Sequence, residues 1–432
     1  MSNKDQARRT AVEIAFDGID ISSSIRPYLL SVSYTDNEED ETDDLQIQLH
    51  DREGIWLCQW LNDAIDAAAS TTSASTGSGT GQYQVTAKAG LNVRSRPGTS
   101  YKKIGALVYG APVEVLSIEN GWAKLKHNGK TAYASASYLS QSGAGTSSTG
   151  LTVQAVILRK NWKGDGNDAV LDCGQFELDS VDASGPPSTI TIKTTSLPYS
   201  SQIRQTKHSK AWESYSLSGI ANEIAHVNGM VCLFESSYDP FYARMEQYQA
   251  SDIEFLSGLC HDAGISLKAT NNILVLFDQE TYEAKEPVLT FRRGGGAYVS
   301  YKLSSGKADK QYSSCRVSYT DPATKKCIEA TAYIADYKKD DKNNQQLEIT
   351  AKVSSVSEAK TLAEKRLRLQ NKYERTATFT LPGNPGLVAG VTVMLAGWGA
   401  WDGKYMIAQS KHTVNGSGYT VQIKLRRILE GY

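Results

Sequence analysis

The stretch AAASTTSASTGSGTGQ, residues 67–82, carries no large apolar side chain, and a second tract of the same kind, QSGAGTSSTG, fills 141–150. Ser, Thr and Gly tracts bury too little surface to offset the entropy of ordering them, so both read as flexible linkers. Between them runs a dense series of strand-like segments. A folded unit with a linker at each end, inside a longer chain, is a domain inserted at a loop tip, where insertions are tolerated. The reading is a host made of 1–67 and 151–432, a guest at 83–141, and linkers at 68–82 and 142–150.

Composition bounds the rest. A chain of 432 residues allows roughly two to four domains of ~100–200 residues. Its 40% hydrophobic and 22% charged content is that of a soluble globular protein. No apolar run approaches the ~18 residues of a membrane span. The segment MSNKDQARRTAVEIAF lacks the apolar core and cleavage site of a secretory signal. Synthesis in the cytoplasm is therefore expected, with later departure as part of a larger particle. A net charge of −1 gives no basic excess to argue for nucleic acid. Cys58, Cys173, Cys232, Cys260, Cys315 and Cys327 show no CxxC spacing. They read as free thiols, mostly small core residues. The 23 tyrosines suit a β-rich protein with large interfaces.

The host begins with period-two strands: Val12, Ile14 and Phe16, a turn at Asp17-Gly18, then Ile19 and Ile21; Leu45, Ile47 and Leu49 follow. The acidic run DNEEDETDD, 36–44, reads as a solvated loop between strands. Beyond the second linker, Val153, Ala155 and Ile157 alternate, as do Phe176 with Leu178 and Ile190 with Ile192. The period then changes. Leu217, Ile220, Ala221, Ile224 and Ala225 form one stripe, closed by Gly229. Ser251 with Glu254 opens a second helix over Ile253, Leu256, Leu259 and Cys260, ending before Gly264. Strands MVCLFES, ISLKA and NILVLFD complete a small α/β portion at 206–290. Residues 291–432 return to strands, with one helix at 357–373 carrying Ala359, Leu362, Ala363 and Leu367 inward; its mixed-sign outer face is a solvated one. RRGGG, 292–296, lacks the Lys-Ser/Thr of a phosphate loop and reads as a glycine-rich turn.

Within the guest, LNVRSRPG (91–98), NGWAKL (120–125) and AYASASYL (132–139) stand in order, with strands expected at Leu91–Val93, Gly105–Val108, Val113–Ile118, Trp122–Lys126 and Lys130–Ala134. This pattern closely resembles a bacterial SH3 (SH3b) domain over nearly all of 83–140. Such domains often bind cell-wall peptides, so the resemblance implies a groove lined by Tyr101, Trp122, Tyr133 and Tyr138, with Asn92, Arg94 and Arg96 near its first loop. Core packing competes with this reading for Trp122 and Tyr133, and a solvated loop for Arg94, Arg96 and Tyr101. Docking of the whole domain on a neighbouring protein is the competing reading.

Four host segments stand together in order: AVLDCGQFELDSVD (169–182), SKAWESYSLSGIANEIAHVNGM (209–230), QASDIEFLSGLCHDAGISLKATNNILVLFD (249–278), and the C-terminal run from Pro385 to Arg427. They resemble the phage late control D family, the baseplate hubs of contractile tails, tailocins and related injection systems, akin to the hub half of VgrG proteins. The resemblance implies a mainly β fold with an α+β portion: tandem β-barrel-like domains, the first from 1–67 and 151–205, the second at 291–432, plus the small inserted SH3b barrel. It further implies a homotrimer that joins a hexameric tail tube protein to a three-fold spike protein, with peptidoglycan as a partner of the guest.

A wall hydrolase is the rival reading, since SH3b domains often accompany such enzymes. Cys260-His261 is the obvious pair, but adjacent helical residues point ~100° apart, and Cys260 continues the apolar stripe. No HExxH is present, and the six histidines (His50, His127, His208, His226, His261, His412) do not cluster at zinc spacing. His412 lies in an alternating strand and reads as structural. The expectation is therefore no catalytic residues, no metal and no cofactor.

Overall fold

In a computed structural model, the chain is described from residue 7 to 429 apart from 57–80, 86–90, 99–100, 108–111, 120–121, 128–129, 136–138, 142–150, 163–166, 198–201, 271, 307–310, 323 and 343. The backbone separates into two units, Met1–Asn62 with Leu151–Tyr432, and Asp63–Gly150. The larger starts with β1 (Arg9–Phe16), β2 (Ile19–Asp20), the single turn α1 (Ser22–Ile25), β3 (Leu29–Asn37) and β4 (Asp44–His50). Asp17 and Gly18, both at positive φ, make the tight turn between β1 and β2.

The smaller unit follows as β5 (Gly81–Val85), β6 (Leu91–Arg94), β7 (Lys103–Leu107), β8 (Pro112–Glu119), β9 (Trp122–His127), β10 (Lys130–Ser135) and β11 (Leu139–Gln141). They form one sheet in the order β11-β5-β8-β9-β10-β6-β7. Its core is Leu91, Val93, Val113, Val115, Ala123, Leu125, Ala132 and Ala134, the inward half of a period-two alternation. The first strand starts at Gly81, so the linker expected to reach 82 ends sooner. That strand and β11 carried no strong alternating signal of their own.

The larger unit resumes with β12 (Thr152–Lys160), β13 (Ala169–Ser184) and β14 (Thr189–Thr195). Strand order β2-β1-β12-β13-β14-β4-β3 puts both sides of the insertion in one sheet. The inward residues Ile14, Val32, Leu45, Ile47, Leu49, Val153, Ile157, Ile190 and Ile192 share one core. Tyr34 on β3 and Phe176 on β13 are three strands apart, roughly 14 Å in a flat sheet, yet their ring centroids lie 5.9 Å apart. The sheet therefore curls around its core like a barrel wall.

Next come α2 (Gln202–Gln205), β15 (His208–Ser216), α3 (Leu217–Val227), β16 (Val231–Glu235), β17 (Phe241–Ala250), α4 (Asp252–Ala263), β18 (Ser266–Thr270), β19 (Ile273–Phe277) and α5 (Gln279–Glu283). Ser216 and Ser251 cap α3 and α4 by accepting the backbone N–H groups of Gly219 and Glu254. The stripe of α3 and the inner residues of α4 pack with Trp212, Leu274 and Leu276 into a separate core. Gly264 ends α4 at φ 67°, where an added Cβ would meet the Lys365 side chain at 2.6 Å.

The remainder comprises β20 (Leu289–Arg292), β21 (Ser300–Ser305), β22 (Ser314–Thr320), β23 (Cys327–Tyr333), β24 (Gln346–Thr350), α6 (Val356–Asn371), β25 (Arg375–Pro382), β26 (Thr392–Ala396), β27 (Gly403–Asn415) and β28 (Gly418–Arg427). Phe291 and Phe379, four strands apart along β20-β26-β27-β28-β25, stack at 5.3 Å, so this half curls as well. Two features depart from a simple second barrel at 291–432. Sheet β23-β22-β24 and α6 form their own core around Cys315, Val317, Leu362 and Leu367. The two barrel-like halves are also not separate sheets: β3 pairs with β27 from Ser31–Asn415 to Asn37–Gln409, making one thirteen-stranded sheet.

Candidate functional site

Period-two alternation positions the guest's candidate residues. On β9 and β10 the even-numbered core residues Ala132 and Ala134 face Leu125 and Ala123 inward, which leaves Trp122, Lys124, Tyr133 and Ser135 on the outer face, each half-buried. Trp122 and Tyr133 are thus neighbours on an outward surface and not members of the core. Tyr133 lies opposite Arg94 on β6. Arg94 donates from Nη1 to the Tyr101 carbonyl at 2.7 Å and so ties down the loop that follows it. Tyr101 is 42% exposed and Arg96 is exposed on the loop. The structure therefore brings Trp122, Tyr133 and Arg94 to one face, with Tyr101 joined to it through Arg94. Tyr138 and the side chain of Asn92 lie outside the described residues.

In the larger unit, charged side chains concentrate in the run that the sequence reads as a solvated loop. In the acidic run 36–44, Asp36, Glu38, Glu39 and Asp43 are buried. Glu38 receives both Nε and Nη2 of Arg426, at 2.9 and 2.5 Å, in a two-pronged pair. Arg426 also binds Glu283, which accepts Arg368 at 2.6 Å. Glu39 accepts Lys372, Ser266 and Gln279. Lys268 Nζ donates to Asp36 and to the Asn37 carbonyl, each at 2.6 Å, and stands 3.5 Å from Asp43. The correction has a physical cause. A buried carboxylate is tolerated only when paired, and the pairs come from β18, the C-cap of α6 and β28, far along the chain. The run is thereby the meeting point of the first barrel-like half, the α/β portion, α6 and the last strand.

Electrostatics follow the pairing. Burial raises the Glu38 carboxyl although Arg426 opposes it. For Glu39 burial also acts upward, but Lys372, Ser266 and Arg426 together outweigh it and hold the group low. Burial pushes Asp43 up to about 6 against the pull of Lys268. His412, fully buried, is pushed down to about 4 by burial. Held neutral, it accepts from Tyr419 OH at Nδ1 (2.7 Å) and donates from Nε2 to the Leu387 carbonyl (3.1 Å).

The Cys260-His261 pair does not assemble. Cys260 is in the core with its thiol pushed up by burial, whereas the His261 side chain is 61% exposed and lies against Arg366. Burial likewise raises Cys173 and Cys315; Cys58 lies outside the described residues. Among the described residues no group of His, Cys, Asp and Glu is arranged to hold a metal, and no helix is long and apolar enough to cross a membrane.

Comparison with known proteins agrees with this architecture. Residues 89–140 match the bacterial SH3 domain family. The fold is that of the 43 kDa tail protein of prophage MuSo2 from Shewanella oneidensis, at 12% identity and TM-score 0.54, covering 97% of this chain and 98% of that one. It is also that of a tail protein from Neisseria meningitidis MC58, at 10% identity and TM-score 0.55, covering 97% and 96%. A curated relative, the putative N-acetylmuramoyl-L-alanine amidase YrvJ of Bacillus subtilis, is 31% identical over 110 residues, which is 26% of this chain and 20% of the amidase. Residues 197–418, which hold the α/β portion, α6 and most of the strands that complete the continuous sheet, match the phage tail baseplate hub (GPD) family; the chain belongs to that family, as a structural hub that carries a bacterial SH3 domain.

Proposed function

We propose that this hub is a non-enzymatic joint of a contractile phage tail, tailocin or related injection system. It assembles as a homotrimer between a hexameric tail tube protein and a three-fold spike protein. The observation that carries the reading is the continuous sheet across β3 and β27, fastened by buried ion pairs on the acidic run. Such a seam resists bending between the two halves. Two similar curled halves per subunit would give a trimer six similar surfaces for the tube. The protein is made in the bacterial cytoplasm and enters the baseplate. Purified particles imaged by electron microscopy are expected to hold three copies; six copies, or one, would overturn the trimer.

The inserted domain, on this proposal, contacts peptidoglycan through the face of Trp122, Tyr133, Arg94, Arg96 and Tyr101, with Asn92 and Tyr138 as further members. Docking on a neighbouring tail protein is the competing use of the same face. The amidase similarity favours a second reading, a tail-associated peptidoglycan hydrolase. That similarity lies over the SH3 region and takes in one fifth of the amidase. Purified protein incubated with wall preparations is expected to release no muropeptides. Release that disappears on changing one Cys, His or carboxylate would establish the hydrolase instead.

A further inference from the structure

Charge is divided unevenly along the chain. Residues 81–141 hold eight Lys and Arg against two Asp and Glu, a net of +6, whereas the rest of the chain holds 38 against 45, a net of −7. The near-neutral total conceals both. The inserted sheet gathers part of its charge into one row across β9-β10-β6-β7: Lys124 lies opposite Tyr133, Tyr133 opposite Arg94, and Arg94 opposite Lys103. With strands about 4.8 Å apart, the row spans roughly 14 Å. All four residues are outside the core. Arg96, Lys102 and Lys126 are exposed near it. The two acidic residues of 81–141, Glu114 and Glu119, belong to β8, which pairs with β9; Glu119 lies opposite Trp122, one strand away from Lys124 and outside the row.

We infer that this face binds a linear polyanion of the bacterial cell wall, with anionic groups spaced along the polymer as in a phosphodiester chain. Three cations gathered in one row repel one another, and an anionic ligand relieves that repulsion while releasing its own counterions. Arg94, one N–H of which is held by the Tyr101 carbonyl, offers its remaining guanidinium donors to phosphate oxygens, and the two lysines offer point charges on long stems. Tyr133 supplies an apolar platform between them. Electrically neutral peptide would use the aromatics and leave the cations idle. The inference rests on the wall-contact reading above and adds the ligand's chemical class to it.

The test is co-sedimentation of the full-length protein with intact Gram-positive walls and with the same walls stripped of phosphodiester polymers by hydrofluoric acid. The Lys103→Gln/Lys124→Gln variant runs beside the wild type. Binding is expected to intact walls only. At the single-strand slope of about −0.7 per contact, three contacts weaken it about twenty-fold between 50 and 200 mM salt, and the double variant shows only about a threefold change. Equal binding to intact and stripped walls, unchanged in the variant, would overturn the polyanion while leaving wall contact standing. Absence of binding to either would overturn both. Tighter capture of a DNA duplex than of intact walls would show that the face is not selective for a wall polymer, and would overturn the inference as well.

Discussion

In the hub unit, Asp36, Glu38, Glu39 and Asp43 are buried against Lys268, Lys372 and Arg426, whereas in the inserted unit Lys103, Arg94 and Lys124 stand in a row with no carboxylate among them. The same residue types therefore do different work. Paired and dry, they fix how distant elements meet, because breaking any pair strands a charge in a medium that cannot solvate it. With no carboxylate in their row and outside the core, half-buried or exposed, they contribute little to stability and remain available to a ligand. The number of charges says nothing about which case holds; burial and the sign of the neighbours decide it.

The largest expected effect breaks the buried side of this comparison. Arg426→Met leaves Glu38 and Glu283 without their shared partner and is expected to cost about 3–5 kcal/mol in urea unfolding. Changing Glu38 to Gln in the same chain should restore part of that loss. Gly383→Ala comes next. Its Cβ would sit 2.1 Å from the Tyr419 ring, a residue of β28 that packs into the first half's core, so about 3 kcal/mol is expected from overpacking. Tyr419→Phe, which loses only the bond to His412, should cost about 1 kcal/mol.

A pH series sharpens the comparison further. The folded pKa of Asp43, about 6, lies above its ordinary value of 3.8. Its contribution to stability is thus fully present below pH ~4 and is lost as pH rises through about 6. The difference in unfolding free energy between wild type and Asp43→Asn should change in that window and be flat above it; a difference that stays constant from pH 4 to 7 would show that Asp43 does not titrate there. The smallest effect belongs to the wet side: Lys103→Gln/Lys124→Gln should change stability by no more than ~0.5 kcal/mol.

Much of the hub's local structure was legible in the sequence. The stripe Leu217, Ile220, Ala221, Ile224 and Ala225 is the buried face of α3, and Ser251 caps α4 as its spacing from Glu254 implied. The alternations on β4, β12 and β14 face one core. What failed to show was anything fixed by distant partners. The run 36–44 looks solvated because Lys268, Lys372 and Arg426 lie 232, 333 and 388 residues from their partners. The β3–β27 seam has the same cause. In the guest, alternation could have placed Trp122 and Tyr133 outside, since Ala123, Leu125, Ala132 and Ala134 are the positions small or apolar enough to face a core. A net charge taken over the whole chain hid the +6 of residues 81–141; taken over each segment between linkers it would have shown.

The most direct test of the central claim is one set of urea unfolding curves, followed by tryptophan fluorescence, for wild type, Arg426→Met and Lys103→Gln/Lys124→Gln at low and high salt. The account predicts a loss of about 3–5 kcal/mol for the first variant at both salts and almost none for the second. Equal small losses for both variants, or a loss for Arg426→Met that high salt abolishes, would contradict a dry charged seam holding the hub together.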